Sequence, residues 1–144
     1  MHTPSQEFSH DDALSILARA DAAALKALGE DLAIDFSDVE VVHSRTGLVM
    51  LPLRDTAKGT AFHLGEVLVS EAHIRRGIHE GYGLRKGLDL EASMAMALVD
   101  IALASGTKVE ICHDFLRDAD AQHRDADTET LRRIEATRVD METF

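Results

Sequence analysis

The sequence predicts a single-domain α+β protein: an antiparallel β-meander over about 39–86, preceded by an N-terminal helix and followed by two to three C-terminal helices. Three observations lead there. Apolar residues recur at helical spacing as far as Gly29, the pattern switches to alternation from Val39, and beyond Asp89 an almost unbroken apolar run follows. At 144 residues the chain has the usual size of one domain, and about two thirds of its unfolded surface can be buried without metals or disulfides. With five Phe, one Tyr and no Trp, the core must be built from Ala, Leu, Val, Ile and Met.

Ser9 followed by Asp11 and Asp12 reads as an N-cap with acidic residues in the first turn, and Leu14, Leu17, Ala18, Leu25 and Leu28 then recur on one face. This predicts one amphipathic helix over about 9–28, ended by Gly29. Val39, Val41 and His43 alternate with Glu40, Val42 and Ser44, and Arg45-Thr46-Gly47 punctuates before Leu48-Val49-Met50-Leu51, which reads as a β-hairpin. Pro52 marks an edge position or a strand end. A polar loop, Asp55 to Gly59, leads into a strand over Thr60–Leu64, which Gly65 breaks or bulges before Val67 to Arg76 continues extended. Gly77 then turns the chain into Ile78 to Arg85, giving four or five strands.

Asp89 is the expected N-cap of a helix running to Ser105, with Gly106 closing it. A further helix covers about 108–123, with Cys112, Phe115, Leu116 and Ala119 on one stripe, and a last one starts near Asp127 with Leu131 and Ile134 inward. The helix from Asp89 is apolar on nearly all sides: Met94, Leu98 and Ile101 form one stripe, and Met96, Val99 and Leu103 another. Such a helix must be covered on nearly all sides. Either the sheet and flanking helices cover it, or a partner chain covers the outer stripe, which makes Met96, Val99 and Leu103 interface candidates.

Fifteen Lys+Arg against 26 Asp+Glu give a formal charge of −11, a field that repels phosphate backbones and anionic lipid. Nucleic acid and membrane are therefore not expected partners. The single cysteine, Cys112, excludes an intrachain disulfide and fits a reducing compartment. No apolar run reaches the roughly 20 residues of a membrane span, and Met1 to His10 has no secretory pattern. A cytoplasmic location is the expectation.

The eight histidines show neither His-x-x-x-His nor any Cys-x-x-Cys, so no metal site is predicted. Glu71, His73 and Arg75 share a strand face, and the turn at Gly77 brings His79 and Glu80 opposite them. A solvated face of cross-strand ion pairs is the simpler reading, a ligand or metal site or a subunit contact the alternatives. No nucleophile elbow is present, and Cys112 falls on an apolar stripe where burial raises the thiol pKa. Gly81, Gly83 and Gly87 belong to Gly-Tyr-Gly-Leu-Arg-Lys-Gly, which is not a dinucleotide fingerprint and reads as flexible glycines letting the strand turn into the helix. Arg85 and Lys86 beside the helix N-terminus, with His73 and His79, are weak anion-site candidates. No catalytic residue is predicted.

The order Ser44-x-Thr46-Gly47-Leu48-Val49, then Gly65-Glu66-Val67-Leu68-Val69-Ser70-Glu71-Ala72, then Gly81-Tyr82, Gly87, Asp89, Ala92 and Ala97 with Asp100, and last Ala136-Thr137-Arg138-Val139-Asp140, resembles the PhnG family. PhnG is a subunit of the bacterial carbon–phosphorus lyase system for phosphonate use. The resemblance covers nearly the whole chain; no single motif is specific, but their order and spacing are. Leu88 stands between Gly87 and Asp89 where the family often has an arginine, although Arg85 and Lys86 are close by.

The resemblance implies a core complex with PhnI-, PhnH- and PhnJ-like subunits and, as a further partner, a PhnL-like protein. It implies a reaction of the complex in which a phosphonate is coupled to the ribose of MgATP with release of adenine, before a radical enzyme cleaves the C–P bond. MgATP is then a substrate of the complex, with no cofactor bound by this chain. The family supplies no catalytic PhnG residue that maps here, which favours an accessory subunit. The alternatives are a self-sufficient homodimeric anion- or nucleotide-binding module and a metal-dependent enzyme using the histidines.

Overall fold

In a computed structural model the backbone is described for residues 8–55 and 60–142, and the side chains for 8–50 and 65–136. Along this backbone run α1 (His10–Arg19), α2 (Ala22–Asp35), β1 (Glu40–Asp55), β2 (Thr60–Arg76), β3 (His79–Lys86), α3 (Leu90–Ser105) and α4 (Val109–Glu142). The strands form one antiparallel sheet in the order β1-β2-β3. The class is α+β, as the alternation and the helical runs predict.

Two helices stand where the sequence predicts one over 9–28. Ser9 does cap the first, its Oγ accepting from the Asp12 N–H at 3.1 Å. Ala20 is extended, however, and Asp21 starts a second helix by accepting from the Ala24 N–H at 3.0 Å. Gly29 does not end that helix. A Cβ on it would lie 2.6 Å from the Ala95 Cβ on α3, so its bare backbone sets how closely α2 and α3 approach.

The four or five predicted strands reduce to three among the described residues. Arg45, Thr46 and Gly47 are not a turn but lie inside β1, opposite Glu71, Ser70 and Val69. Gly65 is no break either, since it pairs with Leu51. The irregularities fall at Val41/His43 and at Leu53/Arg54. The first leaves Val42 as an extra residue, so Val41 faces Ile74 whereas His43 faces His73, and the alternation read through Val39, Val41 and His43 changes face midway. Pro52 pairs with Leu64 on β1, an edge strand, where a missing N–H is tolerated. Of the predicted polar loop, residues 56–59 lie outside the described residues, as do residues 1–7.

Because β3 pairs only with Val69–Arg76 of β2, the remainder of β1 and β2 forms a two-stranded ribbon. From Leu48 to Asp55 it extends for about 27 Å at ~3.4 Å per residue. At its base Leu48, Val49, Met50 and Leu68 are all exposed.

α3 is the centre of the core. Asp89 caps it, accepting from the Ala92 N–H at 3.1 Å, and Gly106 closes it in the left-handed conformation at φ +73°. From Ala92 to Ala102 every side chain except Met94 is buried. Leu17, Leu25, Leu32, Phe36, Ala72 and Ile74 join it from the other elements. The two predicted last helices are one, α4, running unbroken from Val109 to Glu142. Cys112 and Leu116 are buried and Phe115 and Ala119 partly so. From Arg124 to Ala136, by contrast, every side chain is exposed. Leu131 and Ile134, expected inward, are 62% and 57% exposed, because no other described element reaches that part of the helix.

Candidate functional site

The glycines of β3 decide how α3 sits. A Cβ on Gly81 would stand 2.3 Å from the Ala97 carbonyl oxygen, and one on Gly83 only 1.9 Å from that of Ser93. They are points of backbone contact rather than the flexible hinge read from the sequence; only Gly87, at φ +96°, serves the turn into the helix. The close approach lets two side chains of α3, one helical turn apart, reach β3. Asp100 Oδ2 accepts from the Tyr82 N–H at 2.9 Å, and Met96 Sδ from the Leu84 N–H at 3.4 Å. Two N–H groups of an edge strand are thus occupied, which removes part of the template that edges offer to other chains.

Asp100 is 3% exposed, and its second oxygen is bonded at 2.8 Å to Nε2 of His10 at the start of α1. A buried carboxylate with two donors is satisfied, and it fixes α1 to α3. A cavity of about 430 Å³ opens beside it, lined by Phe8, His10, Tyr82, Asp100, His113 and Leu116 among others.

Arg85 does a related job at the other end of α1. Its guanidinium donates to the Leu17 carbonyl and, at 2.7 Å, to that of Ala20, closing the helix C-terminus with a cation where the helix dipole is negative. Burial draws its pKa below the ordinary arginine value, against the opposing pull of Asp89 and Asp21. Lys86, next along, is exposed. His79 lies at the far end of β3 opposite Arg76, and His73 opposite Tyr82. The four anion-site candidates therefore do not form one group.

Instead the outer sheet face carries a polar row. His73 stacks on Tyr82 at 4.3 Å between ring centroids, with His43 at 6.2 Å on its other flank. Glu80 Oε1 holds His73 Nε2 at 3.2 Å, while Glu80 Oε2 accepts from the Tyr82 hydroxyl at 3.1 Å. Partial burial and then Glu80 raise the Tyr82 pKa. Glu71 pairs with Arg45 and Arg75 with Glu40 across to β1. This is the cross-strand ion-pair face that the alternation predicts, with His79 left out of it.

Cys112 is fully buried, and that burial pushes its thiol up to about 11, so very little thiolate exists at neutral pH. Among the described residues no group of three or more His, Cys, Asp or Glu side chains is placed to hold a metal ion. Of the interface candidates, Met96 and Val99 are buried by the chain's own β3 and neighbouring helices, and Leu103 is part-buried.

Residues 10–144 match the family model of the phosphonate metabolism protein PhnG. The chain belongs to the PhnG family. That membership places it in phosphonate metabolism. No curated protein matches it, and no described helix is long and apolar enough to cross a membrane.

Several of the positions that carry the PhnG resemblance have architectural roles. Ser70 Oγ donates to the Gly87 carbonyl at 2.6 Å and accepts from the Asp89 N–H at 2.8 Å. Gly81 receives the backbone of Ala97, and Asp100 holds Tyr82 and His10. In this PhnG chain the motif order thus records how α3 is seated on the sheet. Sequence reasoning missed the Asp100 and Arg85 roles because each depends on a partner 18 or more residues away.

Proposed function

We propose that the chain is an accessory, non-catalytic subunit of a cytoplasmic multi-subunit assembly of phosphonate metabolism. Its partners are PhnI-, PhnH- and PhnJ-like subunits, with a PhnL-like protein as a further one. The assembly couples a phosphonate to the ribose of MgATP with release of adenine, and this chain contributes scaffold rather than reacting groups or a bound cofactor.

The observation that supports this reading is the pair of projections against which no other described element packs. A two-stranded ribbon is marginal in water by itself, and a helix with no tertiary packing gains little from propensity. Yet this fold extends both, with Leu48 and Met50 exposed at the base of one and Leu131 and Ile134 on the other. A partner that covers these residues would supply the missing packing. The polar groups described above are consistent with the reading, since Asp100, Arg85, Glu71 and Glu80 are each engaged by neighbours of this chain.

Co-expression with a PhnI-like chain from the same source tests it. The wild type is expected to co-purify, and the double variants Leu48→Asp/Met50→Asp and Leu131→Asp/Ile134→Asp to lose at least about tenfold in affinity, because an unpaired carboxylate would be buried at the contact. All four residues are exposed, so the isolated variants should melt as wild type does. Recovery of a free wild-type monomer beside a free PhnI-like chain would sink the reading.

A further inference from the structure

A second cavity, of about 560 Å³, lies where the C-terminal end of α1 meets the outer face of the sheet. Its bed is apolar: Val49 from β1, Val67 and Val69 from β2, and Leu84 from β3. Arg19, Arg85 and Lys86 also line it, and no carboxylate is among the described residues that do. In a chain of charge −11 this is a local reversal of sign.

The three cations are also not neutralised by contact. Arg85 is bonded to backbone carbonyls of α1, and Arg19 to the Ser15 carbonyl at 3.3 Å and to His123 Nε2 at 2.6 Å. Neither these two nor Lys86 forms an ion pair among the described residues. Asp21 and Asp89 act on Arg85 only from a distance. Arg85 is moreover held in place by two carbonyls before any ligand arrives, so little side-chain freedom remains to be lost on binding.

We propose that this cavity binds a small amphipathic anion: an alkyl chain lying on the valines and Leu84, with one phosphoryl or carboxyl head among Arg19, Arg85 and Lys86. The volume is within the roughly 300–1,000 Å³ usual for small-molecule sites. On this proposal the apolar bed adds to what the head alone would gain, and the cations to what the tail alone would gain. The inference does not rest on the subunit reading, since it concerns the isolated chain.

Calorimetric titration of the full chain with octyl phosphate, octanoate, inorganic phosphate and octyltrimethylammonium tests it. Octyl phosphate, octanoate or both are expected to bind at least about tenfold more tightly than inorganic phosphate and the cationic probe, and to weaken as salt is raised. Which of the two binds better identifies the head group. Lys86→Glu, on an exposed side chain outside the core, should reduce that binding by at least about tenfold, and adding Arg19→Gln should reduce it further. Backbone amide shifts at Val67, Val69 and Leu84 should move on titration. Equal binding of the cationic probe, undiminished binding by the Lys86→Glu protein, or no binding of either anion at millimolar concentration would each overturn the proposal.

Discussion

Gly83 has no side chain, and the Ser93 carbonyl of α3 occupies the space where one would be. Backbone oxygen cannot rotate away as a flexible side chain could, so a methyl group here must push the helix off the strand. Gly83→Ala is expected to destabilise the chain by about 2–3 kcal/mol or more in urea denaturation. Gly47→Ala is the control: it lies in β1 at a φ open to any residue, with nothing within 4 Å of an added Cβ, and should be neutral or gain up to about 1 kcal/mol. A similar loss in both would mean that crowding is not the cause. At this scale the sequence reads well wherever the signal is local. Ser9, Asp89 and Gly106 are legible as caps because their partners lie within a turn or so, and Cys112 because its stripe is helical. Gly81, Gly83 and Arg85 are not, since what they touch is fixed only when α3 and α1 arrive.

Elements were legible as types more than as lengths. Arg45-Thr46-Gly47 has turn-like composition, yet fifteen residue pairs with β2 outweigh a local preference. Asp21 offers a cap in the middle of an apolar period that does not itself change, which hides the break between α1 and α2. The start of α3 gives the clearest test. Lys26 Nζ sits 2.8 Å from Asp89 Oδ2, and this contact, then the Ala92 N–H, holds the Asp89 carboxyl below its ordinary range. A carboxyl depressed in the folded state contributes stability above its unfolded pKa, and that contribution is lost as pH falls through the folded one. Asp89→Asn keeps a good capping residue and removes only the charge. It should therefore lower the melting temperature at pH 7, with the difference closing below about pH 4. A gap of the same size at pH 3 would show that the carboxylate charge is not its source.

For the whole molecule, the α+β class and the order of helices, strands and helices along the chain follow from the switch in period. The two projections do not, since Leu131 and Ile134 have helical spacing that normally means burial, and nothing in a single sequence says that no other described element reaches them. The attachment of α1 has a further consequence. His10 meets Asp100, Arg19 meets His123, and Arg85 holds Leu17 and Ala20, contacts that span 65 to 104 residues. Closing loops of that length costs entropy before any contact forms. β3 and α3, by contrast, are neighbours in sequence and in space. Hydrogen exchange is expected to show the α1 amides opening at lower free energy than those of α3, and equal protection would count against this order. During synthesis the first described helix must then wait, undocked, until Arg85 and Asp100 have left the ribosome, with Ala13, Ile16 and Leu17 uncovered while the sheet and most of α3 are being made.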